Sequence, residues 1–191
     1  RLPAGLGEVY SANFARAFPR GAADEGWKAA LPLIELVAAA AEPLPVDTAH
    51  AMLGWDDAQR GRVLELVSLV FPVRDGQIHV LHKTVMDWLT GEVDEASGLK
   101  ARSAEFVVER AAGHARAARA CAGALLLELD TGAESDGAAA EALGSLARES
   151  PAAPRAHALR WLCHHLARAG PQCDQAAEAV LCSITYLRAR V

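Results

Sequence analysis

The side chains most suited to chemistry are concentrated in the last third of the chain. Cys163, Cys173 and Cys182 lie near His157, His164 and His165, a set of ligand types that zinc accepts. Structural zinc sites draw their ligands in tight pairs, about two to four residues apart. Here nine residues separate Cys163 from Cys173 and eight separate Cys173 from Cys182. No metal is therefore expected, and these cysteines, with Cys121, read as buried thiols of helices in a reducing compartment. The chain carries no G-x-x-x-x-G-K-[ST] phosphate loop, no strand-borne acidic pair for magnesium and no G-x-S-x-G elbow. Nothing pairs a serine or cysteine with a histidine as nucleophile. The expectation is a chain with no catalytic residues, unable to hydrolyse nucleotide alone. One further pair, His82-Lys83, stands where a helix begins.

The stretch that positions that pair is Phe71 to Leu89, FPVRDGQIHVLHKTVMDWL. Asp75-Gly76 suits a two-residue hairpin, because both turn positions need positive φ. Such a turn pairs Val73 with Ile78 and Phe71 with Val80, setting four apolar side chains on one face. His82 then opens a helix in which Val85, Trp88 and Leu89 recur at helical spacing. A short β-wing feeding a helix, after three helical segments, is the outline of a winged-helix domain. Its first helix is expected over Trp27 to Ala41, with Pro32 marking a start or kink. A short helix follows from Asp47 to Leu53, stopped by Gly54. Asp56 and Gln59 form a capping box for the third helix, whose core face is Val63, Leu66, Val67 and Val70.

Flanking elements complete the plan. Leu2 to Phe18 spaces Leu6, Val9, Tyr10, Asn13, Phe14 and Phe18 as one helix, with Pro3 in its first turn. Thr90 to Leu99 is an acidic connector. Phe106-Val107-Val108 is a β-like run. An alanine-rich helix covers Ala111 to Leu129, and a weaker one Ala138 to Arg148. The last two segments form a helical hairpin, one arm faced by Leu159, Leu162, Cys163 and Leu166, the other by Ala177, Val180, Leu181, Ile184 and Leu187. The expected organisation is a leading helix and linker over 1–26, a winged-helix domain over 27–91 and a helical domain over 92–191. The fold class is mainly α: a winged helix with a small β-hairpin wing, then an α-helical bundle or hairpin.

Composition agrees with helices and limits the partners. Of 191 residues, 52% are hydrophobic and only 5% aromatic, favouring close-packed helices. The net charge of −5 offers no general attraction to nucleic acid or anionic membranes. Between Trp27 and Gly91, five Lys/Arg stand against eight Asp/Glu, a balance of −3. The third winged-domain helix opens with Asp56 and Asp57, the wrong sign for phosphates, so a DNA reader is disfavoured. No run is long enough for a membrane span and no secretory signal is seen, which points to the cytoplasm. Arg1 reads as an internal cut or first ordered residue.

Three segments, and a helical remainder after them, resemble the region after the nucleotide-binding core in STAND-class signalling NTPases of the NACHT and NB-ARC kind. LPAGLGEVYSANFARAF (Leu2 to Phe18) is similar to the LP-x-GL-x-x-x-Y helix that begins it, and EPLPVDTAHAML (Glu42 to Leu53) to the element after the first winged-domain helix. FPVRDGQIHVLHKTVMDWL resembles the family's wing and following helix. GHARAARAC (Gly113 to Cys121) and ALRWLCHHLARAG (Ala158 to Gly170) resemble the helical region leading to WD or ankyrin repeats. The resemblance implies that His82, in Leu81-His82-Lys83, contacts the β-phosphate of ADP held by an upstream core. Lys83 stands where the family motif has Asp, either as a second phosphate contact or pointing to solvent. The alternative is that His82 only caps its helix. ADP or ATP would thus bind through a core outside this chain. The implied partners are an upstream nucleotide-binding domain, a downstream repeat domain and other proteins. The rival readings are a non-enzymatic interaction module, presenting Trp55 or Trp161, and a DNA-binding regulator.

Overall fold

The computed structural model describes residues 5–91, 105–129 and 151–174, together with 141, 144, 145 and 177. The protein is mainly helical, with one small antiparallel sheet. Its contacts divide it into two compact units, Arg1–Val46 with Asp56–Glu109, and Asp47–Trp55 with Arg110–Val191. No helix among the described residues is long and apolar enough to cross a membrane.

The first unit is built around an aromatic cluster. Helix α1 (Leu6–Ala17) buries Tyr10 and Phe14, with Phe18 just past its end. Leu6, expected on this face, is instead 49% exposed. Helix α2 (Glu25–Ala39) begins earlier than the apolar stripe suggested, because Asp24 caps it by accepting the Gly26 amide at 2.9 Å. Pro32 lies inside this helix and marks neither of its ends. Phe14, Phe18, Trp27 and Phe106 meet with ring centroids 5.1 to 6.1 Å apart, in tilted and edge-on pairs. Phe106 arrives on irregular backbone: the segment Phe106–Val108 is not a strand, although Phe106 and Val108 are both buried. The Val108 amide is satisfied by the Leu89 carbonyl at 3.1 Å. Gly21, at φ +59°, leaves room for the Glu105 side chain, which a Cβ there would strike.

The sheet has strand order β1-β3-β2, from β1 (Leu44–Pro45), β2 (Val73–Arg74) and β3 (Gln77–Ile78). Val73 pairs with Ile78 around the Asp75-Gly76 turn, whose φ values are 49° and 72°. Both residues are left-handed, as the primed hairpin turn demands. Beyond the strands the same register continues through His79 N–H to Pro72 carbonyl and Leu81 N–H to Val70 carbonyl, both 3.0 Å. Phe71 and Ile78 are buried, Val80 is half-buried and Val73 at the wing tip is exposed, so the expected four-residue face is only partly covered. Strand β1, which lies between the expected first and second helices of the winged domain, pairs Leu44 with Ile78 and Pro45 with Gln77.

Helix α3 (Val46–Leu53) belongs from Asp47 onward to the second unit and ends at Gly54, φ +62°. Helix α4 (Asp57–Val67) follows Asp56, which caps it by accepting the Gln59 amide at 2.7 Å. Val63 and Val67 are buried, while Leu66 and Val70 are half-buried. Helix α5 (Lys83–Thr90) buries Val85, Trp88 and Leu89, with Trp88 against Tyr10 and Phe14.

In the second unit, α6 (Arg110–Leu129) packs along α7 (Arg155–Leu166). The alanine stripe of α6, including Ala115, Ala118 and Ala122, is buried and allows close approach. The buried face of α7 is Ala158, Leu162, His165 and Leu166, with Leu159 and Cys163 half-buried, so the face is rotated from the expected one. The Ala153 amide donates to the Ala120 carbonyl at 2.9 Å, fixing the approach to α7. The acidic connector beyond Gly91, most of the weaker helix over Ala138 to Arg148 and the second arm of the expected hairpin lie outside the described residues, as do Pro3 and Cys182.

Candidate functional site

His82 is the N-cap of α5, in extended backbone at φ −153°. Its Nδ1 accepts the Thr84 amide at 3.3 Å and lies 2.8 Å from the Thr84 hydroxyl. That hydroxyl is in turn 2.6 Å from the Tyr10 phenol, so α1 holds the capping turn in place. Because Nδ1 accepts, the neutral ring of this exposed residue carries its proton on Nε2. A helix N-terminus with a further N–H donor suits an anionic group. Lys83, the first residue of α5, is also exposed. The capping role raised in the sequence reading is thus realised, and it leaves the second ring nitrogen available.

A second group of histidines comes together in the other unit. His114 of α6 and His165 of α7 face each other, Nδ1 to Nδ1, at 3.0 Å. One ring donates and the other accepts, so the two neutral rings hold different tautomers. His164 completes the group: each of the three offers a ligand atom within 4.8 Å of the others. His157 stacks on His165 with ring planes 20° apart, and Trp161 meets His164 edge-on. Burial pushes His114 down to about 4, with the nearby charges of His164, Arg168 and Arg110 acting in the same direction. Burial likewise drives His165 down to about 3, helped by His114, His157, His164 and Arg168. These two rings are therefore neutral at physiological pH.

This group includes His164 and His165, two of the histidines weighed as zinc ligands and set aside in the sequence, but no cysteine. Cys121 is fully buried and its thiol is raised to about 12 by desolvation, while Cys173 is raised by the same cause. His114 did not figure in the sequence reading. Its signal is positional: it falls on the stripe of Ala118, Cys121 and Leu125, where a polar side chain needs a partner from the facing helix. Trp55 and Trp161 are half-buried, and Arg160 lies over the Trp161 ring at 4.9 Å. On α4 the exposed first turn carries Asp57, paired with Arg60 at 2.9 Å, beside the Asp56 cap.

No protein-family model matches the chain, and neither the curated proteins nor the solved structures contain a significant match to it.

Proposed function

We propose that this chain is the winged-helix and helical-relay segment of a cytoplasmic, nucleotide-switched signalling NTPase of the STAND type. In this reading it is regulatory and not itself an enzyme. The closed state is locked when the Nε2 donor of His82 meets the β-phosphate of ADP in an upstream core, with Lys83 adding positive charge beside it. Exchange to ATP releases the contact, and the helical unit relays the rotation to a downstream repeat sensor. The observation that carries the reading is the exposed His82 at the start of α5, whose Nδ1 is committed to Thr84. The order α2-β1-α3-α4-β2-β3-α5, with strands arranged β1-β3-β2, supports the winged-helix assignment.

The test separates capping from phosphate contact in the intact protein. His82→Asp keeps an N-cap oxygen for the helix but carries no N–H donor. It should speed ADP dissociation and raise basal activity with no loss of α5 stability. Unchanged ADP dissociation in that variant removes His82 from the switch.

A non-enzymatic interaction module is the second reading, favoured by Leu69, Val73 and Leu81, which are 60%, 44% and 56% exposed. In that case substituting these three by serine abolishes partner binding, whereas His82→Asp leaves it intact. A winged-helix DNA regulator is disfavoured by the acidic opening of α4. A gel shift at low salt, where phosphate-driven binding is strongest, checks it.

A further inference from the structure

We propose that His114, His164 and His165 form a binding site for a borderline divalent transition-metal ion, with Zn2+ as the reference ion, that clips α6 to α7. The juxtaposition is three imidazoles from two helices, with ligand atoms within 4.8 Å of one another. The His114–His165 hydrogen bond joins two of these rings, and the His164 ring centroid lies 5.4 Å from that of His114 and 5.3 Å from that of His165. Two imidazole nitrogens bound tetrahedrally at about 2.0–2.1 Å from zinc sit roughly 3.3 Å apart. The observed 3.0 Å between the two Nδ1 atoms needs only a few tenths of an ångström of opening. His164 is the less buried member and is hydrogen-bonded at its Nδ1 to the Arg168 guanidinium at 3.2 Å. It must swing inward, and its partly open side leaves a position for water, completing four-coordination.

The donor set selects the ion. Imidazole nitrogens suit zinc, copper and nickel, whereas calcium and magnesium require oxygen ligands, which this group lacks. The proton now shared between the two Nδ1 atoms can pass to Nε2 of the donating ring, so the neutral pair exposes both lone pairs without losing charge. Arg168 opposes a cation and sets the expected affinity at about micromolar rather than nanomolar. The clip would stiffen the contact between α6 and α7 independently of the nucleotide reading.

The full chain, freed of metal, is titrated with zinc chloride by calorimetry, and with cobalt(II) to read nitrogen coordination from its visible bands. One equivalent should bind, and the thermal midpoint should rise with zinc. His164→Ala, whose half-exposed site tolerates truncation, should retain its fold by circular dichroism, bind at least tenfold more weakly and lose the zinc-dependent rise. His114→Asn should behave likewise, and His79→Ala, a histidine outside the group, should take up zinc as the wild type does. A wild-type chain that takes up no zinc overturns the proposal. So does a chain whose uptake is unchanged in both His164→Ala and His114→Asn.

Discussion

His114 and His165 face each other at 3.0 Å, Nδ1 to Nδ1, in the packed contact between α6 and α7. Each is nearly sealed from solvent, so the pair is held neutral and serves as a polar link between two otherwise apolar faces.

This pair makes the second unit acid-sensitive. An unfolded histidine binds its proton near pH 6.5, whereas His114 and His165 do so only near 4 and 3 in the folded chain. The unfolded state therefore holds more protons across that window. The stability is complete above about pH 6.5 and is lost as pH falls toward the folded values, by up to about 1.4 kcal/mol per pH unit for each ring. Arg110 on α6, and His157, His164 and Arg168 on α7 and the turn after it, act in the same direction. Urea midpoints measured in metal-free buffer at about pH 7 and about pH 5 should show the loss. A His114→Leu/His165→Leu double variant should flatten it.

Phe106 should be a stability hot spot of the first unit. It is 1% exposed and its ring meets Phe14, Phe18 and Trp27. Phe106→Ala should cost about 3–5 kcal/mol by denaturant unfolding. A fragment ending at Gly91 should be destabilised comparably, because it lacks this side chain.

The wing depends on its turn. Gly76 sits at φ +72°, and a β-branched residue there meets the left-handed penalty. Gly76→Val should lower stability by roughly 1–2 kcal/mol. Gly61→Ala, within α4 and with no neighbour near the added carbon, should be neutral to stabilising. Thermal melts of the two variants should therefore shift in opposite directions or differ clearly in size.

Cys121 should be chemically silent while the chain is folded. Its thiol is fully buried and held near 12, so thiolate is scarce at neutral pH. Mass-resolved alkylation should modify half-buried Cys163 before Cys121, and Cys121 only after denaturant is added.

What the sequence determined by itself was local. The left-handed Asp75-Gly76 turn and its Val73–Ile78 pairing follow from two residues that tolerate positive φ between apolar flanks. The Asp56 cap and the span of α6 follow from short-range hydrogen bonding and an unbroken alanine-rich stripe. The same logic missed the start of α2, because Asp24 caps a first turn that lies outside the apolar pattern. What only tertiary structure decided is longer in range. Leu44–Pro45 becomes a strand because β3 offers its free edge, a partner more than thirty residues on. Phe106 and Val108 alternate like strand residues, yet they lie on irregular backbone, with Phe106 packed against Phe14, Phe18 and Trp27 and the Val108 amide bonded to the Leu89 carbonyl. His114 meets His165 across 51 residues only because α6 and α7 close on each other through small side chains. Periodicity records which face of a helix is buried; the partner across that face is set by packing, which no single segment encodes.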